Sequence, residues 1–109
     1  MAFNKEEIMQ IAFDLFEKGN SRENLCQRLA LLNLMLSQVF PEKNFLSKEK
    51  IDIMALPADE KYGIEINRID DDTIKFFSDS IAQSSLNIQE LHWLIAERKY
   101  VLKKLLRNM

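Results

Sequence analysis

Asp70, Asp71 and Asp72 form a run of three carboxylates, the first place to look for chemistry. Oxygen ligands of this kind could hold calcium, but a calcium loop alternates its ligands, turns on a glycine and closes with a distal glutamate. None of these follows Asp72. Carboxylates at a helix start are stabilised by free amides and by the positive end of the helix dipole, so the run reads as a cap. His92 is the only histidine. A metal-binding helix would carry a second ligand one turn away, and the residues there are Ile88 and Ala96. A phosphotransfer helix would continue into a lysine and a glycine, and this chain continues Trp93-Leu94-Ile95-Ala96. His92 therefore reads as a structural or surface side chain.

Ser47 and Lys50 have the Ser-x-x-Lys spacing of penicillin-recognising enzymes, without the further motifs that such chemistry needs. Cys26 is the only cysteine, which excludes an intramolecular disulfide and leaves it as a small core residue. No Cys/His pair, nucleophile elbow, phosphate-cradling loop or paired-carboxylate site stands out. Catalytic residues, a metal site and cofactors are accordingly not expected.

The richest candidate surface lies in the last helical stretch. At about 100° per residue, Leu91, Leu94, Ile95, Leu102 and Leu105 share one face, and Trp93, Ala96 and Tyr100 lie roughly opposite. That second face runs into Lys103, Lys104 and Arg107. Trp, Tyr and Arg are enriched at protein-binding hot spots, and aromatics among cations also suit single-stranded nucleic acid. Arg98 sits within the leucine face, where a buried guanidinium must be paired. It is expected to reach an acid from another element or to lie at an interface.

These residues need elements to hold them. The 109 residues suffice for one domain, 1–109, with 47% hydrophobic and 29% charged side chains. Two glycines and two prolines are too few for an all-β fold or a glycine-rich nucleotide site. The expected fold is all-α, a single small bundle of four or five helices, with an irregular or short β-hairpin excursion near 51–69.

Asn4 and Glu7 can box the start of a helix over 5–18, with Ile8, Ile11, Ala12, Leu15 and Phe16 as its apolar face, Phe13 at the edge of that face and Gly19 as its stop. Asn20 or Ser21 caps the next, which runs to about Val39 or Phe40 before Pro41. The short link between them predicts an antiparallel hairpin. In this second helix Leu25, Leu29, Leu32, Leu36 and Val39 form the core stripe, while Leu31 and Leu34 extend apolar surface around it. Between 42 and 71 a short helix over 48–56 competes with a hairpin. Helices over 72–84 and 87–107 follow, separated by a break near 84–87 where Ser85 or Asn87 with Glu90 resembles a fresh cap; one continuous helix is the alternative. The deepest residues are expected to be Leu29, Leu32, Leu36, Ile11, Leu15, Phe77, Ile81, Leu91 and Ile95.

Net charge is −2, but residues 1–97 hold ten basic and seventeen acidic side chains, while 98–109 hold five basic and none acidic. The leading expectation is a non-catalytic protein-protein interaction module of adaptor, chaperone-like, immunity-like or regulatory type, cytoplasmic and with no membrane span. A homodimer is expected to close over Leu31, Leu34, Trp93 and Tyr100, with Arg98 reaching across. The alternative is a nucleic-acid-associated regulator using the basic C-terminal helix, against which the acidity of residues 1–97 counts. A small enzyme stands third.

Overall fold

The computed structural model describes residues 5–40 and 67–105. Four helices make up its regular structure: α1 (Lys5–Lys18), α2 (Arg22–Val39), α3 (Asp71–Ala82) and α4 (Ile88–Leu105). No strand occurs among the described residues. The expected short helix over 48–56, and most of the hairpin expected over 51–69, lie outside them, as do Asn4 and Arg107.

Each boundary has a local cause. Gly19 ends α1 with φ of 63°, a left-handed conformation that side chains resist, and its amide donates to the Phe16 carbonyl at 3.2 Å. Ser21 caps α2, its hydroxyl accepting from the Asn24 amide at 3.1 Å. Asp70 caps α3 by accepting from the Thr73 amide at 2.8 Å. This hydrogen bond, made to the ionised form, lowers the Asp70 pKa. Asp71 and Asp72 occupy the first turn of α3, so the carboxylate run acts at a helix start.

The expected break before α4 is present. Asn87 accepts from the Glu90 amide at 2.7 Å, and Glu90 accepts from the Asn87 amide at 3.1 Å, a reciprocal capping box. Arg22 holds the same corner from α2. Its guanidinium donates to the carbonyls of Leu86, Ala82 (3.3 Å) and Ser84 (3.2 Å), covering acceptors that the end of α3 leaves open.

The order in space differs from the order in sequence. α1 packs along α4, α4 along α2, and α2 along α3. Ile8 meets Ala96 and Tyr100, while Glu7 reaches Lys104 and Phe16 reaches His92, so α1 and α4 run antiparallel. The expected α1–α2 hairpin is therefore not the main packing of α1. Tyr100 and Ala96 give α4 a second apolar face, and α1 covers it.

The main core joins Leu25, Leu29, Leu32, Leu36 and Val39 of α2 to Leu91, Leu94, Ile95 and Leu102 of α4, with Leu15 and Ile81 at its sides. Cys26 is buried within it, and desolvation raises its pKa against the opposing effect of Arg22. Of the nine residues expected deepest, Ile11 and Phe77 are only half-buried; the other seven are buried. At the end of α2, the Gln38 amide group both donates to the Asn67 carbonyl (3.0 Å) and accepts from the Asn67 amide (2.7 Å). One side chain thereby pins the chain where it returns toward α3.

Candidate functional site

Two regions of this fold could meet another molecule, and neither is the C-terminal face by itself. Tyr100 is 2% exposed and packs with Ile8 and Ala96. Trp93 is half-buried against the same cluster. Lys104 bridges the α1/α4 seam, 3.5 Å from the Glu7 carboxylate and 5.5 Å above the Tyr100 ring. Lys103 is exposed, Leu34 half-buried, and Leu31 lies in a cleft on the far side of the bundle. The seven of the eight residues singled out from sequence that lie among the described residues are thus spread over the molecule rather than gathered into one surface.

Arg98 is interior, at 1% exposure. Its Nε donates to Asn33 Oδ1 of α2, and its Nη1 donates to the Leu94 carbonyl at 3.4 Å and lies 3.9 Å from Glu97 Oε1. Desolvation lowers its pKa to about 10, with the Glu97 charge opposing, so the guanidinium stays protonated at neutral pH. The acid comes from its own helix. The neighbouring element contributes an amide, Asn33, itself buried within the leucine stripe of α2. Breaking such a pair costs more than making it gains, so the pair fixes how α2 and α4 register.

The cleft between α2 and α3 encloses about 830 Å³ and is lined by Arg22, Arg28, Leu31, Lys75, Ser78 and Asp79 among others. Its cations are engaged within the chain. Arg22 holds the end of α3, Arg28 donates to Asn24 Oδ1 at 3.0 Å, and Lys75 lies 3.5 Å from Asp79. Ser78 is buried in the cleft wall. No histidine lines the cleft to take its proton. No group of three or more His, Cys, Asp or Glu among the described residues could hold a metal ion.

The second region is the outer face of α1. Met9, Phe13 and Phe16 are 59%, 55% and 63% exposed. Spaced four and then three residues apart, they form a single row, turned away from the buried Ile8 and Leu15. The sequence pattern assigns Phe16 to the core face, and the structure corrects this: α4 closes over Ile8 and leaves Phe16 at the rim. There the Phe16 ring meets His92 edge to face, with centroids 6.3 Å apart. His92 is 6% exposed, and its Nε2 has no hydrogen-bond partner among the described residues. Desolvation lowers its pKa.

On the wheel of α1, Glu6, Gln10 and Glu17 border the row on one side. Gln10 donates to Asp14 Oδ1 at 3.1 Å, one turn on and farther from the row. The row thus has Glu6 and Glu17 on one margin and Lys5 on the other. Its spacing is legible in the sequence as a second stripe on α1, beside the stronger one that ends in Leu15.

The fold and this surface define the class: a small all-α bundle with an apolar helix face directed outward. Compared with known protein families, curated proteins and solved structures, the chain shows no match. No helix among the described residues is long and apolar enough to cross a membrane.

Proposed function

We propose that this chain is a non-catalytic protein-protein interaction module and that it works in the cytoplasm. The observation that carries the reading is the row Met9, Phe13 and Phe16, three large apolar side chains each more than half exposed on one helix face. Single exposed apolar residues are ordinary, but a contiguous group rimmed by polar residues marks a contact site. The expected homodimer counted Trp93 and Tyr100 as a face in need of cover, and α1 supplies that cover for Tyr100. The contact surface proposed for the module is the outer face of α1.

A photo-crosslinking amino acid at Phe13 in the cells that make the protein tests this. Gln27, exposed on α2 beside the cleft, serves as the control position. A discrete protein adduct from position 13, absent from position 27 and abolished by Phe16→Asp, is the expected result. No adduct from position 13 overturns the reading. An adduct of twice the chain's own mass identifies the homodimer.

A further inference from the structure

We propose that the cleft between α2 and α3 binds a small organic monocarboxylate with a short apolar chain, its carboxylate held by Arg28 and Ser78. The inference is independent of the reading of α1, which lies at the other end of the row of helices. At about 830 Å³ the cleft falls within the range of small-molecule pockets, roughly 300–1,000 Å³. Leu31, Ile74 and Ala82 give it an apolar lining. Ser78 is the side chain that calls for a ligand. It is 5% exposed, lines the cleft, and has no hydrogen-bond partner for its hydroxyl among the described residues. A hydroxyl taken out of water without a partner is costly. A helical serine can avoid that cost by turning back onto the carbonyl one turn before, as Ser37 does with Asn33 at 2.9 Å. Ser78 does not, and its hydroxyl is left to the cleft.

Arg28 stands across from it. Arg22 reaches Ala82 and Gln38 reaches Asn67, so α2 and α3 run antiparallel in a register that sets Arg28 level with Ser78. Arg28 uses its Nε on Asn24 Oδ1. Its two Nη groups make no hydrogen bond or ion pair among the described residues, which leaves a planar pair of donors of the kind that takes a carboxylate. The other charges of the cleft set the limit on what enters. Lys75 and Asp79, within one turn of Ser78, offset each other at 3.5 Å. Arg22 is committed to carbonyls at the end of α3. Glu23 and Asp71 lie in the first turns of α2 and α3, hence at opposite ends of the cleft. The centre therefore carries one uncommitted positive charge between acidic ends. That suits a single negative charge and opposes a dianion such as phosphate.

In this arrangement Arg28 donates to both carboxylate oxygens and Ser78 donates its hydroxyl proton to one of them. The ligand's apolar chain lies along Leu31 and Ile74. The partner that Ser78 lacks within the chain is thereby supplied.

The test uses the full chain and two probes with the same apolar tail, octanoate and octylammonium. NMR follows the backbone amides of α2 and α3 and the Arg28 Nε–H. Octanoate is expected to give saturable shifts centred on residues 24–31 and 74–82. It should bind at least about tenfold more tightly than octylammonium. Acetate, which keeps the charge and loses the tail, should bind at least about tenfold more weakly than octanoate. Arg28→Gln should remove most of the preference for octanoate, and Ser78→Ala should weaken octanoate by about threefold or more. Lys103→Gln, at an exposed cation of α4, should change nothing. Arg28 is itself exposed, so its variant tests the proposal even where Ser78→Ala alters the fold. Octylammonium binding as tightly as octanoate, octanoate binding untouched by Arg28→Gln, or no saturable shift overturns the assignment. So do shifts centred on Met9, Phe13 and Phe16, which place the probe on the apolar row of α1 instead.

Discussion

α1 and α2 are similarly apolar in composition, and they use that surface differently. Seven of the 14 residues of α1 and ten of the 18 of α2 are apolar. In α2 the apolar side chains are largely enclosed: Leu25, Cys26, Leu29, Ala30, Leu32, Leu36 and Val39 are all buried. In α1 only Ile8 and Leu15 are buried, and Met9, Phe13 and Phe16 face solvent. The difference follows from position. α2 lies between α3 and α4, whereas α1 lies at the end of the row of helices and packs chiefly on α4. Apolar content therefore says how much surface a helix could bury, and its neighbours decide how much it does bury.

The sharpest way to break this comparison is to shorten one side chain in each helix. Leu29→Ala should cost about 2–5 kcal/mol in urea unfolding, because a buried leucine leaves a cavity. Met9→Ala should stay within about 0.5 kcal/mol, as exposed positions usually do. Equal losses would make α1 as deeply packed as α2.

The next effect concerns what the α2 core contains besides leucine. Asn33→Ala removes the acceptor for Arg98 Nε and leaves a buried guanidinium short of a partner, an expected loss of about 1–3 kcal/mol. Asn33→Asp should restore much of it by offering a charged acceptor. If the alanine variant is as stable as the parent, the α2–α4 pair does not hold the register. Arg22→Gln should cost about 1–2 kcal/mol, since it uncovers carbonyls at the end of α3. Hydrogen exchange should show this loss first at the α3–α4 corner.

The smallest effect lies at the α1/α4 seam. The folded His92 pKa is below its ordinary value of 6.5, so the unfolded chain takes up this proton first as pH falls. Its contribution is present above 6.5 and is lost as pH drops from there toward the lowered folded value. Asp70, also lowered, gives up its share only at more acid pH, below its ordinary 3.8. Stability measured from pH 7.5 to 5 should thus fall less steeply in His92→Gln than in the parent. Parallel slopes would show that His92 is solvated.

Much of the helical scaffold could be read from residues whose effect is local. Ser21, Gly19, Asp70 and the Asn87–Glu90 pair each act within four residues; Gly19 is the expected stop, and the structure picks Ser21 over Asn20, Asp70 out of the aspartate run and Asn87 over Ser85. Periodicity likewise placed Leu29, Leu36, Leu91 and Ile95 in the core. Pairing was not legible in the same way. A stripe shows which side chains seek cover but not which helix provides it, so α1 was expected on α2 and packs along α4. Tyr100 suffered from the same gap, since an aromatic beside cations reads equally as a binding face or as the floor beneath another helix. Arg98 was recognised as needing a partner, but an amide 65 positions away leaves no local trace. Of the outer row of α1, the pattern assigns Phe16 to the core face and Phe13 to its edge and does not single out Met9, because periodicity alone does not say which of two adjoining stripes a neighbouring helix covers.

The central claim is that the outer row of α1 serves contact rather than folding. The direct measurement is urea unfolding of the variant carrying Met9→Ser, Phe13→Ser and Phe16→Ser together. Stability within about 1 kcal/mol of the parent is predicted, because three exposed side chains leave no cavity. A loss as large as that of Leu29→Ala would show that the row is part of the core and would contradict the account.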